Sequence, residues 1–170
     1  INVADDDAGK CLRFLTDLSL EEIENLDRSR EDEPHRRESQ KKLAESVTCL
    51  VHGDSGLHAA IKATEVLFGA EIENLTDAEL LDIFADVPSV EISPDRLSGG
   101  ELSMIDMLVE SGLCSSKGES RRTIEQGGGY INNRRVDSLD RVLSVDDLAS
   151  ETVIVLRRGK KKFALARFPS

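Results

Sequence analysis

Basic side chains cluster in the last third of this 170-residue chain, and their spacing suits contact with phosphate. Lys117 and Arg121 are four residues apart, so they share one face of a helix, and Arg122 lies beside that face. Arginine forms paired hydrogen bonds with phosphate oxygens, whereas lysine supplies a mobile point charge. Such a surface suits binding to the backbone of an RNA, and on charge alone a solvated basic face that binds no partner is an equal alternative. The predicted contacts are Lys117, Arg121, Arg122, Asn132, Asn133, Arg134, Arg135, Arg158, Lys160, Lys161 and Lys162.

Catalytic and metal chemistry find little support in the residue pattern. The only glycine cluster, residues 127–129, follows a predicted helix instead of opening one, so it does not suit a phosphate cradle. The cysteines are too far apart for a zinc site or a disulfide framework, and the histidines suit capping or surface positions. We predict no catalytic residue, no metal site and no cofactor in this chain. The residues considered were His35, His52, His58, Cys11, Cys49 and Cys114.

The net charge of −11 hides an uneven distribution of charge along the chain. Residues 1–100 hold 10 Lys and Arg against 23 Asp and Glu, a balance of −13. From Ser115 onward the numbers are 12 against 7, a balance of +5. An acidic first half next to a basic C-terminal segment is compatible with nucleic-acid binding by that segment.

Helical periodicity dominates the first half of the chain. Ser19 and Thr76 each precede a glutamate by three residues, which is the capping box that opens a helix. Between them, residues 34–51 predict a long helix that ends at Gly53, and a further helix ends at Gly69. The second half changes to short helices and strand-like segments around a tight hairpin at residues 130–136.

We therefore predict an α+β fold made of two domains. A helical domain covers residues 1–90, and proline and glycine mark a linker at residues 91–100. A smaller α+β domain with a short antiparallel sheet covers residues 101–170. Its second helix is expected to open with a capping box between Ser116 and Glu119.

The run from Ser116 to Val136 resembles the ribosomal-protein-type αL RNA-binding domain, with its Ser-Lys start, basic helix, glycines and Ile-Asn turn. Such domains occur in several classes of RNA-binding protein. Residues 40–53, Gly56-Leu57 and residues 63–68 resemble the helical anticodon-binding domain of bacterial-type tyrosyl-tRNA synthetases, and the opening segment resembles the entry to that domain. The chain is thereby identified as the C-terminal part of a member of that family.

The resemblance implies that the helical domain contacts the anticodon stem and loop of tRNA(Tyr). It implies that the αL domain contacts the elbow and the long variable arm. Weaker candidates for RNA contact lie in the helical domain, where ion pairing with nearby glutamates is an equal alternative: Arg36, Arg37 and Lys41.

The catalytic domain of the family and its ATP-binding sequence signatures do not occur in this chain. Whether the chain itself is an enzyme is left open, although the parent would be a tyrosine–tRNA ligase that uses ATP with magnesium. The resemblance implies a monomeric fragment of a homodimeric parent, in the bacterial cytoplasm or in an organelle. We expect that the fragment alone does not activate tyrosine.

Two other hypotheses remain open at this stage. A free-standing αL-domain protein would bind the ribosome or ribosomal RNA. An acidic interaction module would bind a protein partner through residues 1–100.

Overall fold

The computed structural model describes residues 2–169, and the chain forms two compact units. The first unit ends at Lys62, and the second begins at Ala63. Among residues 2–169, no helix has the length and apolar content needed to span a bilayer. The helices are α1 (Asp5–Leu15), α2 (Leu20–Asp32), α3 (Glu38–Leu67), α4 (Asp77–Ile83), α5 (Pro94–Ser98), α6 (Met104–Glu110) and α7 (Lys117–Glu125). The strands are β1 (Ser89–Glu91), β2 (Gly129–Ile131), β3 (Arg134–Arg135), β4 (Val153–Arg158) and β5 (Lys162–Arg167).

The first unit packs α1, α2 and the start of α3 around a small apolar core. Leu12, Ile23 and Leu43 are buried there, one from each helix. The carboxylate of Asp27 joins α2 to α1 through Arg13, with an N–O distance of 2.6 Å. The Ser19 capping box that opens α2 is confirmed.

Helix α3 differs from the continuous helix predicted at residues 34–51. Pro34–Arg36 forms a separate 3-10 turn, and Arg37 takes a left-handed conformation with φ of 55° before α3 begins. Gly53 interrupts α3 with φ of 72°, a value that costs glycine little because it has no Cβ. The predicted helix end at Gly53 therefore coincides with a break between two helical stretches.

A five-stranded sheet organises the second unit, in the order β1-β5-β4-β2-β3. Strands β2 to β5 pair antiparallel, whereas β1 pairs parallel with β5. The α+β fold is confirmed, with a parallel edge strand added to the antiparallel sheet that the sequence predicted. The short length of β1, three residues, explains why periodicity did not reveal it.

Each face of the sheet buries a separate apolar core. Alternate residues of a strand point to opposite faces, so Ile154 and Leu156 pack with α6 and α7. Val153 and Val155 pack on the other face, against Leu80 and neighbouring residues of α4 and the end of α3. The continuous apolar run of β4 thus follows from burial on both faces.

The predicted boundary at residues 91–100 falls inside the second unit. Ile92 and Leu97 are buried in the core that contains α6 and α7. Pro94 opens α5, where proline has no hydrogen bond to lose. Proline and glycine therefore mark short turns in this segment, and its apolar residues bind it to the core.

Candidate nucleic-acid interface

Helix α7 presents the predicted basic residues because its opposite face is buried. Thr123 and Ile124 pack inward, which leaves Arg121 and Arg122 exposed. The helix begins after Ser116, whose hydroxyl accepts a hydrogen bond from the backbone N–H of Glu119 at 3.2 Å. The geometry confirms a capped basic helix at this position.

The other half of the predicted Ser116–Glu119 capping box is formed differently. The Glu119 carboxylate accepts hydrogen bonds at 2.7 Å from the backbone N–H and the hydroxyl of Ser115, instead of reaching the N–H of Ser116. It also pairs with the guanidinium of Arg158 at 2.6 Å. A second Arg158 nitrogen donates to the carbonyl oxygen of Leu113 at 2.8 Å.

Arg158 consequently joins the end of β4 to the first turn of α7. An open groove at this point is lined by both Arg122 and Arg158. The hairpin tip that follows Arg158 carries three exposed lysines: Lys160, Lys161 and Lys162. Two basic segments that are distant in sequence are thus brought to one region of the second unit.

The hydrogen bonds to Glu119 give a testable pH dependence. Bonds from the Ser115 backbone and hydroxyl, followed by Arg158, lower the pKa of Glu119 from 4.5 to about 2. A lowered pKa means that the ionised form stabilises the fold above the unfolded pKa, and that this contribution disappears as the pH falls toward 2. Glu119→Gln is therefore expected to lower the free energy of unfolding at pH 7, by an amount that shrinks between about pH 4.5 and pH 2.

Urea denaturation of both proteins across that pH range measures the difference. Glu125→Gln is the matched control, because Glu125 is an exposed glutamate of the same helix. A difference between Glu119→Gln and wild type that stays constant down to pH 2 would show that ionisation of Glu119 does not stabilise the fold.

Several predicted cations are paired with carboxylates of the second unit. Lys117 lies 2.6 Å from Asp106, which lowers the pKa of that carboxyl group. Arg135 lies 2.8 Å from Asp137. Arg134 contacts Glu71 at 3.0 Å and also pairs with Glu73. The ion pairs orient these cations. Each cation must release its carboxylate, or share its N–H donors with that carboxylate, before it contacts a phosphate.

The remaining predicted cations are exposed without a carboxylate partner within residues 2–169. Among the described residues, the side chain of Arg122 donates one hydrogen bond, of 3.3 Å, from its Nε to the carbonyl oxygen of Gly118. The exposed cations of the second unit that lack a carboxylate partner in the described part of the chain form a group that we call the open cations: Arg121, Arg122, Lys160, Lys161 and Lys162. Their charges are available to a phosphate without breaking an ion pair.

Two predicted RNA contacts, Asn132 and Asn133, are placed inside the fold. Both adopt left-handed conformations, with φ of 48° and 64°, in the turn between β2 and β3. Asn132 accepts a hydrogen bond from Val155 N–H at 2.9 Å and donates one to the carbonyl oxygen of Asp147 at 2.6 Å. Both asparagine side chains are buried, so their assignment as RNA contacts is corrected to a structural one.

Arg157, which the sequence places beside the basic hairpin tip, is also buried, with 8% of its surface exposed. Strand alternation explains the difference, because Arg157 and Arg158 point to opposite faces of the sheet. Both arginines adjoin the turn between β4 and β5 in the sequence, but the pleat of β4 directs their side chains to opposite faces of the sheet.

The weaker candidates in the first unit show mixed surroundings. Arg36 pairs with Glu33 at 2.7 Å and with Glu38 at 3.4 Å, in agreement with the ion-pair alternative. Lys41 is exposed. Within residues 2–169, no three His, Cys, Asp or Glu side chains are grouped so that they could hold a metal ion.

Sequence reasoning missed the carboxylates that pair with cations of the candidate interface. Asp106, Glu119 and Glu71 pair with cations from other elements, and no local spacing signals such contacts. The sequence contained one weak signal for the placement of the arginines. Because alternate residues of a strand point to opposite faces, assigning Val153–Arg158 to a strand places Arg157 and Arg158 on different faces.

Comparison with known proteins places these features in one family. Residues 79–166 match the family model of the tyrosine–tRNA ligase SYY-like C-terminal domain. This match covers all of β1 to β5 except the end of β5, together with α5, α6 and α7.

Curated relatives match over nearly the whole chain. Tyrosine–tRNA ligase of Rhodopirellula baltica is 44% identical over 167 residues, which are 98% of this chain and 38% of the relative. The ligase of Roseiflexus castenholzii is 42% identical, over 98% of this chain and 39% of the relative. The ligase of Staphylococcus haemolyticus is 39% identical, over 99% and 39%. The chain thus spans 38–39% of the length of these relatives.

A solved structure is also similar in part. The solution structure of a tyrosyl-tRNA synthetase C-terminal domain is 34% identical and covers 60% of this chain and 98% of its own, with a TM-score of 0.46. The family model and the relatives agree with the resemblance carried by the basic helix and its hairpin. The chain belongs to the tyrosine–tRNA ligase family, and its second unit carries that family's C-terminal domain.

Proposed function

We propose that this chain is the tRNA-binding part of a tyrosine–tRNA ligase. The observation that carries the proposal is the group of open cations, five exposed positive side chains on α7 and at the β4–β5 tip. Phosphate contacts supply most of the affinity in RNA binding that depends on shape. Membership of the ligase family makes tRNA the RNA to which these contacts apply.

The partner that we infer is tRNA(Tyr). In this proposal the second unit contacts the elbow and the long variable arm through the open cations. The first unit contacts the anticodon stem and loop, with Arg36, Arg37 and Lys41 as its basic residues. The double-stranded arm would be recognised by its shape and its phosphates, because side chains do not enter the narrow major groove of RNA.

The full-length ligase would attach tyrosine to this tRNA in the cytoplasm, using ATP and magnesium. We propose that ATP, tyrosine and magnesium bind in the part of the ligase that this chain does not span, since the chain covers 38–39% of its relatives. The chain by itself is expected to be a monomer. Absence of tyrosine-dependent pyrophosphate exchange by the purified chain would agree with this division.

A titration at several salt concentrations tests the proposal. Each phosphate that is neutralised contributes a slope of about −0.7 to −0.9 in log K against log salt. If all five open cations contact phosphate, the slope is expected to lie at about −3.5 to −4.5. Binding is expected to weaken when the variable arm of the tRNA is shortened.

The matched control is the same tRNA with an intact variable arm and an altered acceptor end, which the proposal leaves outside the contact surface. Equal and weak binding to all three RNAs would reject a specific role for the variable arm. Stronger binding to a ribosomal RNA fragment would favour a free-standing ribosome-binding protein instead.

A further inference from the structure

One face of the sheet carries a row of aromatic and guanidinium groups that lies apart from the open cations. Arg135, Tyr130, Arg157 and Phe163 are register partners across β3, β2, β4 and β5. Directly opposed residues of antiparallel strands share a face, so these four side chains are neighbours. The Arg157 guanidinium lies 3.9 Å from the centre of the Tyr130 ring and 5.9 Å from that of Phe163.

Arg157 is a buried cation that no carboxylate neutralises within residues 2–169. It is 8% exposed, and its Nε has no hydrogen-bond acceptor among the described residues. A buried charge is costly unless it is paired, and the electron-rich faces of two rings compensate only part of that cost. The first acids that follow Gly69 along the chain, Glu71 and Glu73, are paired with Arg134.

The turn after α3 runs beside this guanidinium. Asn133 holds the turn by donating from Nδ2 to the carbonyl oxygens of Val66 at 2.8 Å and Ala70 at 2.7 Å. Gly69 has φ of 104°, and a Cβ at this position would lie 3.1 Å from Nη1 of Arg157. The glycine therefore permits a close approach between the turn and the guanidinium.

The same turn exposes an aromatic side chain. Phe68 directly precedes Gly69 and is 88% exposed, and part of Tyr130 is also exposed. An exposed phenylalanine adjoins the glycine that approaches Arg157, and a half-buried tyrosine lies against a guanidinium that has no carboxylate partner within residues 2–169. Stacking on aromatic rings and on arginine planes is how proteins bind unpaired bases of RNA.

We propose that Phe68, Tyr130 and Arg157 form a stacking site for an unpaired nucleobase of RNA. The base stacks on the exposed aromatic surface, and the charge of Arg157 attracts the adjoining phosphate. This proposal rests on the proposed function, because both take RNA as the partner. The stacking site is separate from the open cations, since it lies on the opposite face of the sheet from Leu156 and α7. It distinguishes unpaired bases from duplex, which the open cations do not.

The single tyrosine of the chain gives a direct readout. Protein labelled with 3-fluorotyrosine has one 19F resonance, from Tyr130. A short single-stranded oligoribonucleotide is expected to shift this resonance, whereas an abasic strand of equal length and charge leaves it in place. Phe68→Ala is expected to weaken binding of the base-containing strand about tenfold, the effect of losing one base stack, and to leave the abasic strand unaffected.

Phe14→Ala is the matched control, since Phe14 is 84% exposed and belongs to the first unit. Equal 19F shifts with both strands, or no loss of affinity in Phe68→Ala, would overturn the stacking site. Failure of the proposed function has a different outcome, in which Arg121→Ala/Arg122→Ala leaves binding of tRNA unchanged while Phe68→Ala still weakens binding of the base-containing strand. Because the Phe68 side chain is exposed and outside the core, the Phe68→Ala variant is expected to fold as the wild type does.

Discussion

Replacing Arg121 and Arg122 with alanine is expected to weaken tRNA binding about 100-fold. Both side chains are exposed on α7 without a carboxylate partner within residues 2–169, so their removal costs the fold little. Each charge-assisted contact with phosphate is worth about 1.5 kcal/mol, and about 3 kcal/mol corresponds to that change in affinity. The slope of log K against log salt is expected to become less negative by about 1.4 to 1.8. Fluorescence anisotropy with labelled tRNA measures both quantities.

The control for total charge is Arg96→Ala/Arg167→Ala. These arginines belong to the same unit but lie outside α7, and they pair with Glu110 at 2.9 Å and with Glu91 at 3.4 Å. The control is expected to change affinity by less than about threefold, because long-range charge effects are screened within about 10 Å at moderate salt. Equal losses in the two double variants would mean that only net charge matters, and the interface assigned to α7 would be wrong.

Asn132→Ala is expected to lower the free energy of unfolding of the second unit by about 3 kcal/mol. The substitution removes two hydrogen bonds of a buried amide and leaves Val155 N–H without its acceptor. Each lost bond contributes about 1 kcal/mol, and the left-handed backbone with φ of 48° adds about 1 kcal/mol for alanine. Urea denaturation followed by the fluorescence of Tyr130 reports on this unit, since the chain has one tyrosine and no tryptophan.

Asn132→Gly separates the two causes, because glycine tolerates the backbone conformation and still lacks the amide. Its loss is expected to be smaller by about 1 kcal/mol. Well below the unfolding transition, both variants are expected to bind tRNA as wild type does. If the Asn132 variants had normal stability but bound tRNA more weakly, Asn132 would be an RNA contact and its structural assignment would be wrong.

Local sequence patterns were sufficient for the elements that depend on neighbouring residues. The capping boxes at Ser19 and Thr76, the glycine break at Gly53 and the hairpin turn at Asn132 each depend on a few adjacent positions. Such features follow from backbone conformation and from hydrogen bonds within one turn. Strand β1 escaped prediction because its three residues pair with β5, which lies far along the chain.

The geometry of the candidate interface was predictable in part for the same reason. Helical spacing placed Arg121 and Arg122 on the exposed side of α7, where the structure has them. The asparagine side chains of the hairpin turn were predicted as RNA contacts because they adjoin Arg134 and Arg135 in the same turn. Their partners, Val66 and Ala70 for Asn133 and Val155 for Asn132, come from distant segments that only the fold brings near.

The amino-acid sequence alone establishes the α+β class, the basic C-terminal segment and the family of the chain. These properties reside in composition, in short-range spacing and in motif residues, none of which needs a tertiary contact. The fold determined which charges are open and which are paired, because ion pairs such as Arg158–Glu119 join elements remote in sequence. It also decided that Arg157 stacks on Tyr130 inside the sheet while Arg158 faces α7, since the pleat sends adjacent residues of one strand to opposite faces.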